Sequence, residues 1–344
     1  MSRETITNAT ADRFRYQRLM ETFDTPAAPA FEDAGQQEKI WGAVWGADSE
    51  VGTLRTILVH RPGDEIKRVT EDWYDPELES YCNREEGIWW RGRNGPDLPA
   101  MQQAHDQFTS ILRENGVEVA YIHENGQPTN RPVPIKQMSP RDIVIGVPGG
   151  AIVCRPNAKG RREESFWAAR RVMEMGCPII RTISGTGIVE GGSFMWIDAK
   201  TAALSTGLCA NREGVEQVRE VLAHVGVDLI TVQVPGYGQH LDGFCSMIDT
   251  DKALINPTLL PYDFVQVLQE RGIEPIALSP EDPPFAVNLV PLGPGRVIAS
   301  EMSPRTRETL EARGVEVIQL DYEACWSSGG GLRCNSAPLA RDSV

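Results

Sequence analysis

One pattern recurs along the chain and restricts its fold more than any other feature: two short apolar strands, a polar link, an amphipathic helix and a glycine. SFMWIDAKTAALSTGLCANREGVEQVREVLAHVG has that order. DGFCSMIDTDKALINPTLLPYDFVQVLQERG repeats it, and so does FAVNLVPLGPGRVIASEMSPRTRETLEARG. DIVIGVPGGAIVCRPNAKGRREESFWAARRVMEMG is an earlier copy, and residues 53–116 form a first, expanded one. Each unit is closed by one more short strand: VEVAYI, CPIIRTI, VDLITVQV, IEPIAL and VEVIQL. The chain therefore reads as five ββαβ units. Phe194 and Phe244 stand 50 residues apart, and Val287, the matching start, lies 43 further on. A period of that size, with a helix in every unit, predicts an α/β fold of pseudo-symmetric blades round an axis and not a doubly wound sheet.

Outside the repeat, residues 1–50 read as a polar N-terminal extension that packs late or is partly mobile, and regular structure is expected from Val51. Residues 71–97 lack periodicity and carry Trp73, Trp89 and Trp90, so they read as a long loop or insertion. Met101, Ala104, Phe108, Ile111 and Leu112 recur at helical spacing and end before Gly116. The expectation is a single catalytic domain over 51–344 behind the extension.

Composition excludes several function classes. Hydrophobic residues make up 41% and charged residues 24%, enough for a real core. The net charge of −14 repels phosphate backbones, which argues against nucleic-acid partners. No apolar run is long enough for a membrane span. Charges run throughout MSRETITNATADRFRYQRLM, so no secretory leader is expected. Seven cysteines at irregular spacing then predict free thiols and a cytoplasmic location. Neither cysteines nor histidines show metal-ligand spacing, so neither metal nor other cofactor is expected.

The chemistry-bearing residues sit at matching edges of different units. Cys334 follows the run Gly329, Gly330, Gly331, which permits close backbone approach, and is a candidate nucleophile. In GQHLDGFCSMID, His240 and Asp242 flank Leu241 at the start of an expected strand, where alternation points them to one face. Glu190 in GIVEGGSFMWID occupies the equivalent unit start, and Asp142 in QMSPRDIVIGVPGG occupies that of its own unit. If the units surround an axis, these starts converge on one cavity. Converging carboxylates repel one another unless a cation relieves them, and a planar guanidinium matches carboxylates bidentately. A thiolate beside it would attack the central carbon, and His240 would protonate the departing nitrogen and later activate water.

The set SPRD, EGGSF, HLDGFCSMID and GGGLRCNS, with the opening SEVGTLRTILVHRPGDE, resembles the arginine deiminase and dimethylargininase branch of the guanidine-modifying (amidinotransferase) superfamily. The resemblance runs in order from about residue 49 to 341. It implies a five-bladed α/β propeller, with Cys334 as nucleophile, His240 as acid/base, Glu190 supporting the histidine and the substrate, and Asp142 and Asp242 holding the guanidinium. It further implies that Arg161, in NAKGRREES, and Arg212, in GLCANREG, hold a substrate carboxylate. The helical insertion of full-length arginine deiminases is not evident, and Ser193 stands where many relatives carry an acid.

The expected activity is thus thiol-dependent cleavage of a C–N bond in a small cationic guanidino or ureido compound, releasing ammonia or an amine. Two rivals stand beside it. An amidinotransferase would use the same groups but pass the amidino group to an amine; EGG at Glu190 favours hydrolysis. A non-catalytic propeller scaffold would have no reason to keep a thiol opposite a histidine and three carboxylates. Homo-oligomerisation is left open.

Overall fold

A computed structural model describes residues 9–23, 28–123, 131–236, 238–283 and 285–344. The first eight residues, part of the stretch read as leaderless, lie outside them.

Two helices, α1 (Ala9–Phe23) and α2 (Ala34–Trp41), precede the repeat. Strand β1 (Leu54–Val59) leads into a small antiparallel meander, β2 (Tyr74–Asp75), β3 (Ser80–Asn83) and β4 (Ile88–Trp90). Helix α3 (Leu98–Glu114) follows, with the Asp97 side chain accepting the Ala100 N–H and Met101, Phe108 and Leu112 buried. Gly116, at φ +77°, turns the chain into β5 (Glu118–Tyr121).

The second unit is β6 (Val144–Val147), β7 (Gly150–Val153), α4 (Glu164–Glu174) and β8 (Ile179–Thr182). The third is β9 (Phe194–Asp198), β10 (Thr201–Thr206), α5 (Arg212–His224) and β11 (Asp228–Gln233). The fourth is β12 (Cys245–Asp249), β13 (Lys252–Ile255), α6 (Tyr262–Glu270) and β14 (Glu274–Ala277). The fifth is β15 (Val290–Gly293), β16 (Arg296–Ala299), α7 (Pro304–Glu311) and β17 (Glu316–Gln319). A short helix, α8 (Glu323–Trp326), and β18 (Ser336–Arg341) end the chain. In each of these four units the second strand pairs antiparallel with the first and parallel with the third.

The first unit obeys the same rule by a different route. Its order is β18-β1-β5, with β18 antiparallel and β5 parallel to β1. Residues 53–116 are therefore not a complete unit. After β1 the chain departs into the meander, nothing local pairs that edge, and the C-terminal strand covers it.

Buried apolar residues form five clusters among the described residues, each built from two neighbouring units. Leu58, Ala120 and Leu339 pack with Ile143 and Ala151; Ile145 and Ile152 with Phe194 and Leu204. Met195 and Ala203 pack with Met247 and Phe264; Ile248 and Leu254 with Val287 and Val297. The fifth cluster joins Ile57 and Phe108 of the first unit to Val290 and Ile298 of the last.

Two boundaries differ from the sequence reading. Trp45, Ala47, Ser49 and Glu50 are buried, so the supposed extension is already core there. A side chain at Gly46 would put its Cβ 1.8 Å from the Val147 carbonyl oxygen, so only glycine fits that crossing. Glu50 holds the arginines beneath the repeat: its Oε1 accepts from Arg141 Nη2 at 3.0 Å and Oε2 lies 2.9 Å from Arg333 Nη2. The stretch read as a loop is the meander, with Tyr81, Ile88 and Trp90 buried; these apolar residues anchor a sheet too short to show periodicity. No helix among the described residues is long and apolar enough to cross a membrane.

Candidate active site

Three units begin in the same way, with a single 3-10 turn directly ahead of the first strand: Pro140–Asp142, Gly191–Ser193 and Leu241–Gly243. Glu190 and His240 stand just before their turns, while Asp142 and Asp242 lie within theirs. The expectation that His240 to Asp242 form a strand is thus corrected: Leu241–Gly243 is a turn and β12 starts at Cys245. Leu241 is nonetheless fully buried, and the turn carries its flanking residues to the cavity.

Asp142, Glu190, His240 and Cys334 line one cavity of about 370 Å³. His240 is held between two acids, with Nε2 2.9 Å from Glu190 Oε2 and Nδ1 3.7 Å from Asp142 Oδ1. Gly192 permits that packing, because a Cβ there would lie 2.9 Å from both Asp142 Oδ1 and His240 Nδ1. Burial alone would lower the His240 pKa, but Asp142, Cys209 and Glu190 outweigh it and hold it well above the ordinary value. Burial likewise opposes ionisation of Glu190. His240, Arg161 and the Asn157 N–H prevail and keep its carboxyl at about 2.

Cys334 lies under the glycine run. A side chain on Gly330 would come 2.8 Å from Cys334 Cβ, and one on Gly331 2.7 Å from Asn288 Oδ1. Asn288 Nδ2 donates to the Cys334 sulfur at 3.3 Å, and Asp242 Oδ2 lies 3.8 Å from it. Burial, then Asp242 and Asp142, push the thiol up to about 12, with His240 pulling the other way. Asp242 is itself buried and its pKa raised, chiefly by desolvation. These shifts favour the thiol on Cys334 and the imidazolium on His240.

Of the two arginines expected to hold a carboxylate, Arg161 lines the cavity and Arg212 does not. Arg161 is committed to three carboxylates: Nε and Nη2 reach Glu164 at 3.0 and 2.8 Å, and Nη1 reaches Asp142 at 2.9 Å and Glu190 at 3.4 Å. Its guanidinium thus lies against the same acids expected to receive a substrate's. Arg212 is exposed at the first position of α5 and is not among the residues lining the cavity, where Leu208 and Cys209 are found instead.

Several residues at the site escaped sequence reasoning. Asn288 is one, although a polar residue inside FAVNLV at the fifth unit's start was a readable signal. Lys136 lines the cavity with its ammonium 4.9 Å from the Trp90 ring and a bond to the Ser328 carbonyl. Burial, then Arg161 and Arg91, bring its pKa down to about 7. Arg91 packs over Trp89 and donates to Gln239 Oε1 at 2.9 Å across the cavity mouth. Lys136 and Arg91 stand outside the repeat, so no register pointed to them. Glu190, Cys209 and His240 offer three potential metal-ligand atoms within 4.8 Å of one another. Glu190 and His240 already pair through theirs.

The chain is similar to known proteins in sequence and in fold. The family described as N,N dimethylarginine dimethylhydrolase, eukaryotic, matches residues 99–341. An arginine deiminase of Rhodococcus erythropolis is 26% identical over 408 residues, covering 86% of this chain and 97% of its own. That alignment is longer than this chain, so the relative carries stretches that are missing here. DDAH from Pseudomonas aeruginosa, solved as a mutant complexed with citrulline, superposes with a TM-score of 0.65 at 21% identity, over 83% of this chain and 99% of that one. SxtG, an amidinotransferase from Microseira wollei, gives a TM-score of 0.66 at 14% identity, over 87% and 98%. The two likenesses show a shared α/β fold. With most of its length matched, this chain belongs to the N,N dimethylarginine dimethylhydrolase family and is a hydrolase of the guanidine-modifying superfamily.

Proposed function

We propose that the protein hydrolyses a C–N bond of a guanidino amino acid or related guanidino acid through a covalent intermediate on Cys334. The observation that carries this reading is the meeting of a buried thiol with an acid-clasped His240 on one cavity whose floor has an unused acceptor. Asp142 Oδ1 is buried and makes no hydrogen bond, although its partner oxygen is bound by Arg161. A substrate guanidinium would supply the missing donor. We read the five units as blades of one propeller-shaped catalytic domain over 51–344, with the meander as an insertion; the apolar cluster joining the fifth unit to the first supports it.

The chemistry follows from the resting protonation states. A guanidinium held by Asp142 and Asp242 brings a cation beside the thiol and favours loss of its proton to solvent water, His240 being already protonated. The thiolate forms a bond to the central carbon. The C–N bond then breaks as the leaving nitrogen takes a proton from the His240 imidazolium, leaving a thiouronium on Cys334. Neutral His240 takes a proton from water, the oxygen bonds to carbon, and the C–S bond breaks with its electrons returning to sulfur; the hydroxyl proton then passes to that sulfur, leaving the ureido carbonyl and restoring the thiol. The products are a ureido compound and ammonia or an amine. Glu190 keeps His240 charged and oriented, and Arg161 fixes both Glu190 and Asp142.

The test is a product assay on arginine, N-methylated arginines and guanidino acids, with and without glycine or ornithine. The proposal expects a ureido product with stoichiometric ammonia or amine in both conditions. An amidinated acceptor in place of the ureido product would assign the protein to amidino transfer.

A further inference from the structure

The cavity mouth is divided. Arg91 leaves the meander, packs over Trp89, bonds Gln239 and passes over Gly329, where an added Cβ would lie 3.3 Å from Arg91 Cδ. On one side lies the polar cavity that contains Asp142, Glu190 and Lys136. On the other is a second cavity of about 540 Å³ that also reaches Cys334 and His240. Asp242 and Asn288 line it beside Cys334, and beyond them its walls among the described residues are mainly apolar: Pro235, Phe244, Leu259 and Phe285, over Gly243. The catalytic pair therefore stands at the junction of a charged chamber and an apolar one.

A guanidinium has three nitrogens in one plane. If the nitrogen bearing the chain enters the charged chamber, the leaving nitrogen, which must reach His240, faces the junction with the apolar one. Departing ammonia has no use for a wall of phenylalanine and leucine, and a methyl group leaves most of 540 Å³ unfilled. We infer that the apolar chamber binds a bulky apolar substituent on the leaving nitrogen, so that the substrate is an N-alkyl or N-aralkyl guanidino acid and the product a hydrophobic amine. This rests on the hydrolase reading above and specifies its leaving group.

The test is kcat/KM for arginine against its Nω-methyl, Nω-butyl and Nω-benzyl derivatives, with the ureido product and the released amine both measured. The inference expects Nω-benzylarginine to be turned over at least as well as arginine, with stoichiometric benzylamine. Leu259 lies at the chamber's half-open rim, and Leu259→Trp would fill it. That change should lower the benzyl-to-arginine ratio of kcat/KM by ~10-fold or more, the scale of discrimination an apolar pocket provides. Because the readout is a ratio, a general loss of active protein does not move it. A benzyl derivative poorer than arginine, or a ratio unmoved by Leu259→Trp, would overturn the inference while leaving the hydrolase reading intact. If no guanidino compound, arginine included, yields a ureido product, the hydrolase reading fails and this inference with it.

Discussion

Asn288 grips Cys334 from two sides: its Nδ2 lies 3.3 Å from the sulfur and its Oδ1 accepts the Cys334 backbone N–H at 3.2 Å. The same Nδ2 reaches the Asp242 carbonyl at 3.2 Å, so one amide ties the nucleophile's loop to the acid's turn. A neutral donor on sulfur favours the thiolate, whereas a carboxylate there disfavours it. Asn288→Asp should therefore slow alkylation of Cys334 at pH 8 by ~10-fold, the effect of about one pKa unit. An unchanged rate in a folded variant would remove Asn288 from the thiol's control.

Substrate charge is the second lever on that thiol. Burial and two carboxylates hold it near 12, far from ionisation at neutral pH. A bound guanidinium offsets both acids, so an inert alkylguanidinium that leaves the sulfur accessible should accelerate alkylation at pH 8 by ~10-fold or more and move the pH profile downward. One high apparent pKa, unmoved by ligand, would contradict activation by the substrate.

Glu190 sets the working range of His240. The imidazolium is favoured by Asp142, Cys209 and Glu190 against its burial. Removing a carboxylate lowers its pKa, so Glu190→Gln should shift the alkaline fall of kcat to lower pH by about one unit or more. A lower kcat with an unshifted profile would reduce Glu190 to a packing role.

Beneath the site, Glu50 is the counterion of Arg141 and Arg333. Burial alone would raise its carboxyl, but the arginines pull it to about 2. Its folded pKa lies below the unfolded one, so its stabilisation is complete above the ordinary carboxylate range and is lost as pH falls towards 2. Glu50→Gln removes the nearest counterion of two buried arginines, with Asp242 3.9 Å from Arg333 as the remaining acid, and should cost ~3–5 kcal/mol at pH 7 in urea unfolding. The gap from the parent should narrow as the pH falls below 4.5. A constant gap across that range would deny the ion pairs their share.

The repeat made most of this architecture readable, because each unit carries its own period and its closing glycine. The pairing of β1 with β18 was not readable: a strand's partner at the other end of the chain leaves no local signal. The equivalence of Glu190 and His240 came from register, and it extends to matching 3-10 turns. Arg161 shows where register stops. The sequence places a basic residue near the cavity, but only the fold shows Glu164, one turn on, drawing it into the acid cluster. Arg212 carried a motif resemblance, yet lies on the exposed start of a helix. Lys136 and Arg91 approach from irregular segments, where no pattern announces them.

Mass spectrometry of enzyme quenched in acid during turnover would read the proposed covalent intermediate on Cys334. The expected result is a mass increase equal to the substrate less its leaving amine, confined to the peptide containing Cys334 and absent from Cys334→Ser. That variant should also lose ~10³-fold or more in kcat/KM, since a hydroxyl is far less ionised than a thiol. No adduct at any quench time, with Cys334→Ser retaining activity within ~10-fold of the parent, would contradict it.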